Sequence, residues 1–139
     1  MTSPLERLAT SGGALAAEAP DASEIAGLLR SGRARLADAR NAALSPESRF
    51  DLAYNAAHAL CLAALRRQGY RPKHRYIVFQ VLPHTLGLGA GVWRVLDKAH
   101  QVRNLAEYEG HAEVDIRLLQ DLVAACEVVE KAIGTCDAS

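Results

Sequence analysis

The chain has 139 residues, half of them hydrophobic and only 5% aromatic, and its 16 Lys and Arg residues balance its 16 Asp and Glu residues. This balance excludes the global positive charge that drives non-specific nucleic-acid binding, so any polynucleotide contact is local. A chain of this length buries one hydrophobic core. Its excess of Ala and Leu is typical of packed helices, and the composition therefore predicts one all-α domain.

Metal clusters, disulfide frameworks and membrane spans are disfavoured by the residue pattern. Cys61, Cys126 and Cys136 are too few and too scattered for a zinc cluster, and an odd number argues against paired disulfides. No segment approaches the roughly 20 apolar residues of a membrane span, and residues 1–20 lack the basic start and apolar core of a signal peptide. We therefore expect a cytoplasmic protein without a membrane segment, metal or cofactor.

Ser, Gly and Pro recur at close intervals in residues 1–20, as is typical of a flexible lead-in with at most a short helix. We predict a flexible N-terminal segment at 1–20 and a single helical domain at 21–135. The domain begins with an amphipathic helix over 21–43, in which arginines separate apolar residues at helical spacing. Those apolar residues are Ile25, Leu28, Leu29 and Leu36.

A long alanine-rich helix is predicted from Ser45 to about Gln68. The Ser45 hydroxyl suits the capping of free N–H groups, Pro46 suits the first helical position, and the Glu47 carboxylate suits the positive end of a helix. Gly69 is a stop signal. Because this helix is apolar on most of its circumference, we expect other helices to surround it.

Shorter apolar segments predict three further helices. Residues 76–82 favour a strand by β-propensity, but one short run between helices has no partner strand, so we predict a short helix that Pro83 ends or kinks. Apolar stripes at helical period predict a helix over about 90–108, stopped by Gly110, and a last helix over about 114–133. The domain should therefore contain about five helices.

Arg103 is the charged residue with the most informative position. On a helical wheel it falls beside Val92 and Leu96 at the edge of the apolar stripe, where a guanidinium needs a carboxylate, carbonyl or phosphate partner. An intrahelical ion pair with Glu107 is the structural alternative. The same turns carry further polar groups suited to acid–base chemistry and phosphate binding, namely His100, Asn104, Tyr108 and His111.

A polar line also interrupts the apolar surface of the long helix. Glu47, Asp51, Asn55 and His58 follow one another at spacings of four, four and three residues, which places them close to one line along the helix. The line is either the solvated stripe of a buried helix or part of a site, since a His and an Asn facing an Arg suit a nucleotide phosphate or a scissile phosphodiester.

Two segments resemble HEPN domains, the higher eukaryotes and prokaryotes nucleotide-binding superfamily. They are Leu-Ala-Tyr-Asn-Ala-Ala-His-Ala-Leu at 52–60 and Arg-Asn-Leu-Ala-Glu-Tyr at 103–108, and the likeness spans roughly 21–133. The resemblance implies an up-and-down helical bundle that commonly forms homodimers. Many members are metal-independent ribonucleases that act as toxins or in phage defence, with a motif of Arg, a polar residue and then a His.

Arg103 and Asn104 match the first two motif positions, whereas Tyr108 takes the place of the His. A phenol titrates near pH 10 and is a poorer acid–base group than imidazole near neutrality. The resemblance implies that Arg103 stabilises charge on the phosphate, Asn104 orients a 2′-hydroxyl, and Tyr108 or a nearby His transfers protons. The residues expected to bind the RNA or nucleotide are His100, Glu107, Asp51, Asn55 and His58.

The resemblance leaves two functions open. In the first, a homodimer cleaves RNA as a toxin-like or defence protein and is paired with an antitoxin. In the second, the chain is a non-catalytic helical module that binds a nucleotide or a partner protein, and Arg103 and Tyr108 serve the interface.

Overall fold

The structure, a computed structural model, describes residues 3–110 and 114–137, and within these ranges the chain is predominantly α-helical. Two short strands form the sheet found there. The helices are α1 (Pro4–Arg7), α2 (Ala22–Ala39), α3 (Pro46–Arg67), α4 (Ile77–Gln80), α5 (Leu82–Thr85), α6 (Ala90–Glu109) and α7 (Ile116–Asp137), with a π-helical turn at Leu8–Gly12 and strands β1 (Leu15–Ala17) and β2 (Tyr70–Pro72). The all-α prediction is confirmed.

The predicted long helix is confirmed as α3, which packs against α2, α6 and α7. Its start follows the expected chemistry, because the Ser45 Oγ accepts a hydrogen bond from the Ser48 N–H at 3.1 Å and Pro46 occupies the first turn. Gly69 follows the helix with a φ of +90°, a left-handed conformation that glycine adopts without steric cost. Most residues of α3 from Ala53 onward are buried, as its alanine-rich circumference predicts.

The helix predicted over 21–43 forms as α2 but ends at Ala39. The Asn41 Oδ1 accepts a hydrogen bond from the Ala43 N–H at 3.0 Å, a local bond that competes with helical pairing. The Arg49 Nε donates to the Ala39 carbonyl at 2.8 Å and so satisfies one carbonyl of the last turn. A side chain from α3 therefore helps to set the end of α2.

The later helices also form close to their predicted positions. The segment predicted as a short helix is helical as α4, which ends at Gln80, and Pro83 lies in the first turn of the next helix, α5. Gly110 caps α6 with a φ of +85°, as expected of a helix stop. His111 lies outside the described residues. Among the described residues, none of the helices is long and apolar enough to span a membrane.

The N-terminal segment, predicted as a flexible lead-in, forms α1, the π-helical turn and β1. Leu5 and Leu15 are buried in the core, with exposed fractions of 5% and 0%, and β1 pairs antiparallel with β2 so that Leu15 lies opposite Pro72. The segment therefore packs on the helices that follow it. A strand of three residues leaves no periodic pattern, and its partner is more than fifty residues away, so composition alone indicated a loop.

Candidate functional site

Several of the predicted site residues surround the buried ring of Tyr54, halfway along α3. The guanidinium carbon of Arg103, from α6, lies 4.9 Å from the ring centroid, and that of Arg75, from the segment before α4, lies 5.7 Å from it. These distances suit cation–π contacts. Three parts of the fold thus meet at one aromatic ring, which is completely buried. We call this group the Tyr54 cluster: Tyr54, Asn55, His58, Arg75, Tyr76, Asp97, His100, Arg103 and Asn104.

His100 is held through both of its ring nitrogens. Its Nδ1 lies 2.8 Å from the Tyr54 hydroxyl, and its Nε2 lies 3.1 Å from the Asn104 Nδ2. A neutral imidazole has one donor and one acceptor, so when the Asn104 amide donates to Nε2, the Nδ1–H donates to the Tyr54 oxygen. Burial lowers the pKa of His100; Asp97 opposes this shift and Arg103 adds to it. The ring is therefore neutral at pH 7.

Tyr76 fixes the plane of the His100 ring. The two rings are stacked with centroids 4.6 Å apart and planes inclined by 20°, and the Tyr76 hydroxyl donates to the Asp97 carboxylate. Burial and this hydrogen bond raise the pKa of Tyr76 to about 12, so the phenol stays protonated as a donor. Tyr76 and Asp97 come from different elements, and no local spacing in the sequence indicated that they meet.

A second imidazole in the cluster belongs to His58. Its ring lies edge-on to Phe79 with centroids 6.3 Å apart, and burial lowers its pKa to about 4, with Arg75 and Arg103 adding to the shift. Next to it, the Asn55 Oδ1 accepts from the Arg75 Nη2 at 2.9 Å. The polar line on α3 thus contacts α4 and the segment before it, and is more than a solvated stripe.

The two guanidiniums differ in their partners. The predicted intrahelical pair is present, with 3.1 Å between the Arg103 Nη1 and the Glu107 Oε1. Because the Glu107 side chain is 62% exposed, such a pair contributes only about 0.2–0.5 kcal/mol. Arg75 makes no ion pair with a carboxylate in the described part of the chain. The two guanidiniums of the cluster therefore outnumber its one carboxylate, that of Asp97.

An open cleft of about 720 Å³ adjoins the cluster between the first turns of α3 and the last turns of α6. We call it the α3–α6 cleft. Arg103 lines it together with the carboxylates of Glu47, Asp51 and Glu107. Neither Glu47 nor Asp51 uses its carboxylate in a hydrogen bond or ion pair within the described ranges. The apolar part of the lining consists of Leu44, Phe50, Leu52 and Ala106.

The structure brings most of the predicted site residues together. The cluster contains Arg103, Asn104, His100, Asn55 and His58, while Asp51 and Glu107 line the adjoining cleft.

Tyr108 lies apart from the cluster, with 91% of its side chain exposed. Five residues correspond to a rotation of about 140° around a helix, which directs Tyr108 away from Arg103. Arg75, which was not among the predicted site residues, joins the cluster.

Comparison with protein-family models, curated proteins and solved structures finds no match for this chain. The similarity to HEPN domains therefore rests on the residues of 52–60 and 103–108 and stays a prediction. Across the described ranges, no three His, Cys, Asp or Glu side chains gather in a way that would hold a metal ion.

The pKa of His58 predicts a loss of stability in mild acid. The unfolded chain takes up a proton near pH 6.5, whereas the folded chain does so only near pH 4, so the contribution is complete above pH 6.5 and is lost as the pH falls towards 4. After a discount for the partly exposed ring, the loss is on the order of 2 kcal/mol. Urea unfolding at pH 7, 5.5 and 4.5 measures it.

His58→Gln should flatten this pH dependence, and His74→Gln, on an exposed ring before α4, should leave it as in the wild type. An equally steep loss in His58→Gln would show that other groups cause it.

Proposed function

We propose that this chain is an HEPN-like protein that binds RNA through a phosphate at the Tyr54 cluster and cleaves the adjacent phosphodiester bond without a metal ion. The observation that carries the proposal is the meeting of two guanidiniums, Arg75 and Arg103, over one buried ring beside two neutral imidazoles.

A phosphate suits this arrangement for electrostatic reasons. Guanidiniums bind phosphate oxygens through paired hydrogen bonds, and the buried Tyr54 ring gives the two cations a low-dielectric backing that strengthens their interaction with an anion. A phosphate binds Arg75 without displacing a carboxylate. It displaces Glu107 from Arg103 at small cost, because the Arg103–Glu107 ion pair is exposed. Because the formal net charge of the chain is zero, affinity for a polyanion must come from such a local group.

The cleavage step needs one group to accept a proton and another to donate one. In the proposed reaction a neutral imidazole removes the proton of the ribose 2′-hydroxyl, and the 2′-oxygen then bonds to phosphorus. The bond from phosphorus to the 5′-oxygen breaks, and that oxygen takes up a proton from a solvent water molecule while the imidazolium returns its proton to solvent, which leaves a 2′,3′-cyclic phosphate and a 5′-hydroxyl. His100 is our choice for the base, because its Nε2 becomes free to take this proton when the exposed Asn104 amide turns from it to the substrate, whereas Tyr108 lies apart from the cluster.

The test is the binding and cleavage of a fluorescent single-stranded RNA by purified protein in EDTA. Arg103→Ala should slow cleavage by about 10²-fold or more, as the loss of one charge-stabilising donor does in other enzymes. Arg75→Ala should weaken RNA binding and lower the slope of log affinity against log salt by about 1. Glu107→Gln should strengthen binding, because it removes a carboxylate that competes with the phosphate.

Arg30→Ala is the matched control, since Arg30 is an exposed arginine on α2. Cleavage that survives Arg103→Ala would contradict the proposed site. Equal binding by the wild type and both cluster variants would contradict phosphate binding there.

A second candidate function, a non-catalytic module that binds a nucleotide or a partner protein, is favoured by exposed apolar side chains on α6. Leu105 is 56% exposed and Tyr108 is 91% exposed, and exposed apolar residues of this size are frequent at protein interfaces. Such a partner would be a second copy of the chain or an antitoxin. RNA binding that depends on Arg103 but leads to no cleavage would favour this candidate.

A further inference from the structure

We infer that the α3–α6 cleft is a nucleobase subsite that selects guanine. The inference rests on the proposed function, because it takes Arg103 as the group that binds the phosphate. It adds a specificity for the base attached to that phosphate.

The position of Arg103 connects the two parts of such a site. Its side chain covers the Tyr54 ring and also lines the cleft. A phosphate held by Arg103 therefore leaves the sugar and base of the same nucleotide at the mouth of the cleft. The cleft volume of about 720 Å³ lies within the range of roughly 300–1,000 Å³ that is typical of small-molecule sites, so a nucleoside fits.

The lining of the cleft matches a flat apolar ring with hydrogen-bond donors at its edge. Leu44, Phe50, Leu52 and Ala106 provide the apolar part, which suits the faces of a base. The polar groups on α3 that line the cleft include the carboxylates of Glu47 and Asp51. Ionised carboxylates only accept hydrogen bonds, so the base that they select must present N–H groups.

Guanine is the base that meets this requirement best. Its N1–H and N2–H₂ groups lie side by side and donate to the two oxygens of one carboxylate, whereas adenine and cytosine present one donor beside an acceptor. Uracil presents a single N–H between two carbonyl oxygens, which a carboxylate repels. A bidentate contact of this kind discriminates between bases by about tenfold or more.

Asp51 is the residue that we expect to read the base. It lies one helical turn before Asn55, which holds Arg75, and one turn after Glu47. Its carboxylate is exposed and makes no hydrogen bond or ion pair with a described residue, whereas the Glu107 carboxylate is paired with Arg103 at 3.1 Å. Asp51 is therefore available to a ligand and lies on α3 between Glu47 and Asn55.

The experiment titrates the purified chain with the 3′-monophosphates of guanosine, adenosine, cytidine and uridine at pH 7 in EDTA, by calorimetry. None of these ligands contains a cleavable phosphodiester bond, so binding is measured without reaction. The guanosine compound should bind about tenfold more tightly than the other three. Asp51→Asn should remove most of this preference, whereas Asp38→Asn, an exposed aspartate on α2, should keep it.

The outcomes separate the inference from the proposed function. Equal affinity for all four nucleotides, weakened in Arg103→Ala, would overturn the guanine subsite and leave phosphate binding intact. A guanine preference that persists in both Asp51→Asn and Glu47→Gln would overturn the assignment of the preference to this cleft. Failure of every nucleotide to bind, while RNA binding still depends on Arg75, would also overturn the subsite. If RNA does not bind either, both proposals fall.

Discussion

Replacing Arg66 with Met should lower the free energy of unfolding by about 3–5 kcal/mol, the cost of breaking a buried ion pair by removing one partner. Only 1% of the Arg66 side chain is exposed. Its Nε donates to the Glu24 Oε1 at 2.7 Å, and its two Nη atoms donate to the carbonyls of Glu18, Ala19 and Tyr70 at 2.8–3.2 Å. Met keeps the volume and leaves the three carbonyls without this donor, while the Glu24 carboxylate keeps only its hydrogen bonds from Arg71.

The loss should be concentrated where the N-terminal segment meets the helices. The Arg66 guanidinium joins the residues after β1 to the residue that begins β2, and its hydrogen bond is the first cause of the lowered pKa of Glu24. Urea unfolding followed by circular dichroism gives the change in free energy. Hydrogen exchange should become faster at Leu15–Ala17 in particular, because the residues directly after β1 lose their hydrogen bonds from Arg66.

Arg40→Met is the control for this substitution. Arg40 also pairs with a glutamate, Glu127, at 3.6 Å, but the two side chains are 46% and 52% exposed, so its replacement should change the free energy by at most about 0.5 kcal/mol. If Arg66→Met costs less than about 1 kcal/mol, the buried guanidinium does not hold the segment. Arg66→Lys, which keeps the charge but loses the planar fork, should fall between the two variants.

Gly32→Ala should destabilise the chain by about 1–3 kcal/mol, although Ala is the better helix former. Gly32 lies on the face of α2 that packs against α3. A Cβ there would be 2.9 Å from the Cγ and Cδ2 of Leu60 and 3.4 Å from the Ala56 carbonyl oxygen. Leu60 is completely buried, so it has little room to move away. The overlap outweighs the roughly 1 kcal/mol that Ala gains in helix propensity.

Gly27→Ala is the matched control on the same helix and should change stability in the opposite direction. A Cβ at Gly27 meets only the mobile end of Arg30, at 3.9 Å, so the gain in propensity should raise stability by about 0.5–1 kcal/mol. Thermal unfolding of both variants gives the comparison. If both substitutions are stabilising, α2 and α3 do not pack as closely at Gly32 as the structure indicates.

The two glycines show how far local sequence reasoning extends. Both interrupt the apolar pattern of α2 in the same way, and the sequence indicates only that each weakens the helix. At Gly32 a side chain would overlap Leu60, and that constraint depends on a leucine in another helix. The end of α2 likewise depends on another helix, because the side chain of Arg49 in α3 donates a hydrogen bond to the carbonyl of Ala39.

The sequence predicted only part of the candidate site, because local spacing does not show contacts between distant elements. Spacing along one helix grouped Arg103 with His100, Asn104 and Glu107, since residues three and four apart share a face. It could not show that Arg75 reaches Asn55, or that Tyr76 stacks on His100, because these contacts join elements that are apart in the chain. The family motif directed attention to Tyr108, whereas the structure places His100 beside Arg103.

The long alanine-rich helix, its cap at Ser45 and the glycine stops after α3 and α6 were determined by the sequence itself, because capping and apolar periodicity act within a few residues. Tertiary structure alone decided the pairing of β1 with β2, the burial of Arg66 and the assembly of the Tyr54 cluster. Each of these depends on contacts between groups at least twenty residues apart in the chain. Such contacts contribute energy only when the chain packs, through desolvation at Arg66, ring stacking at His100 and strand pairing at Leu15.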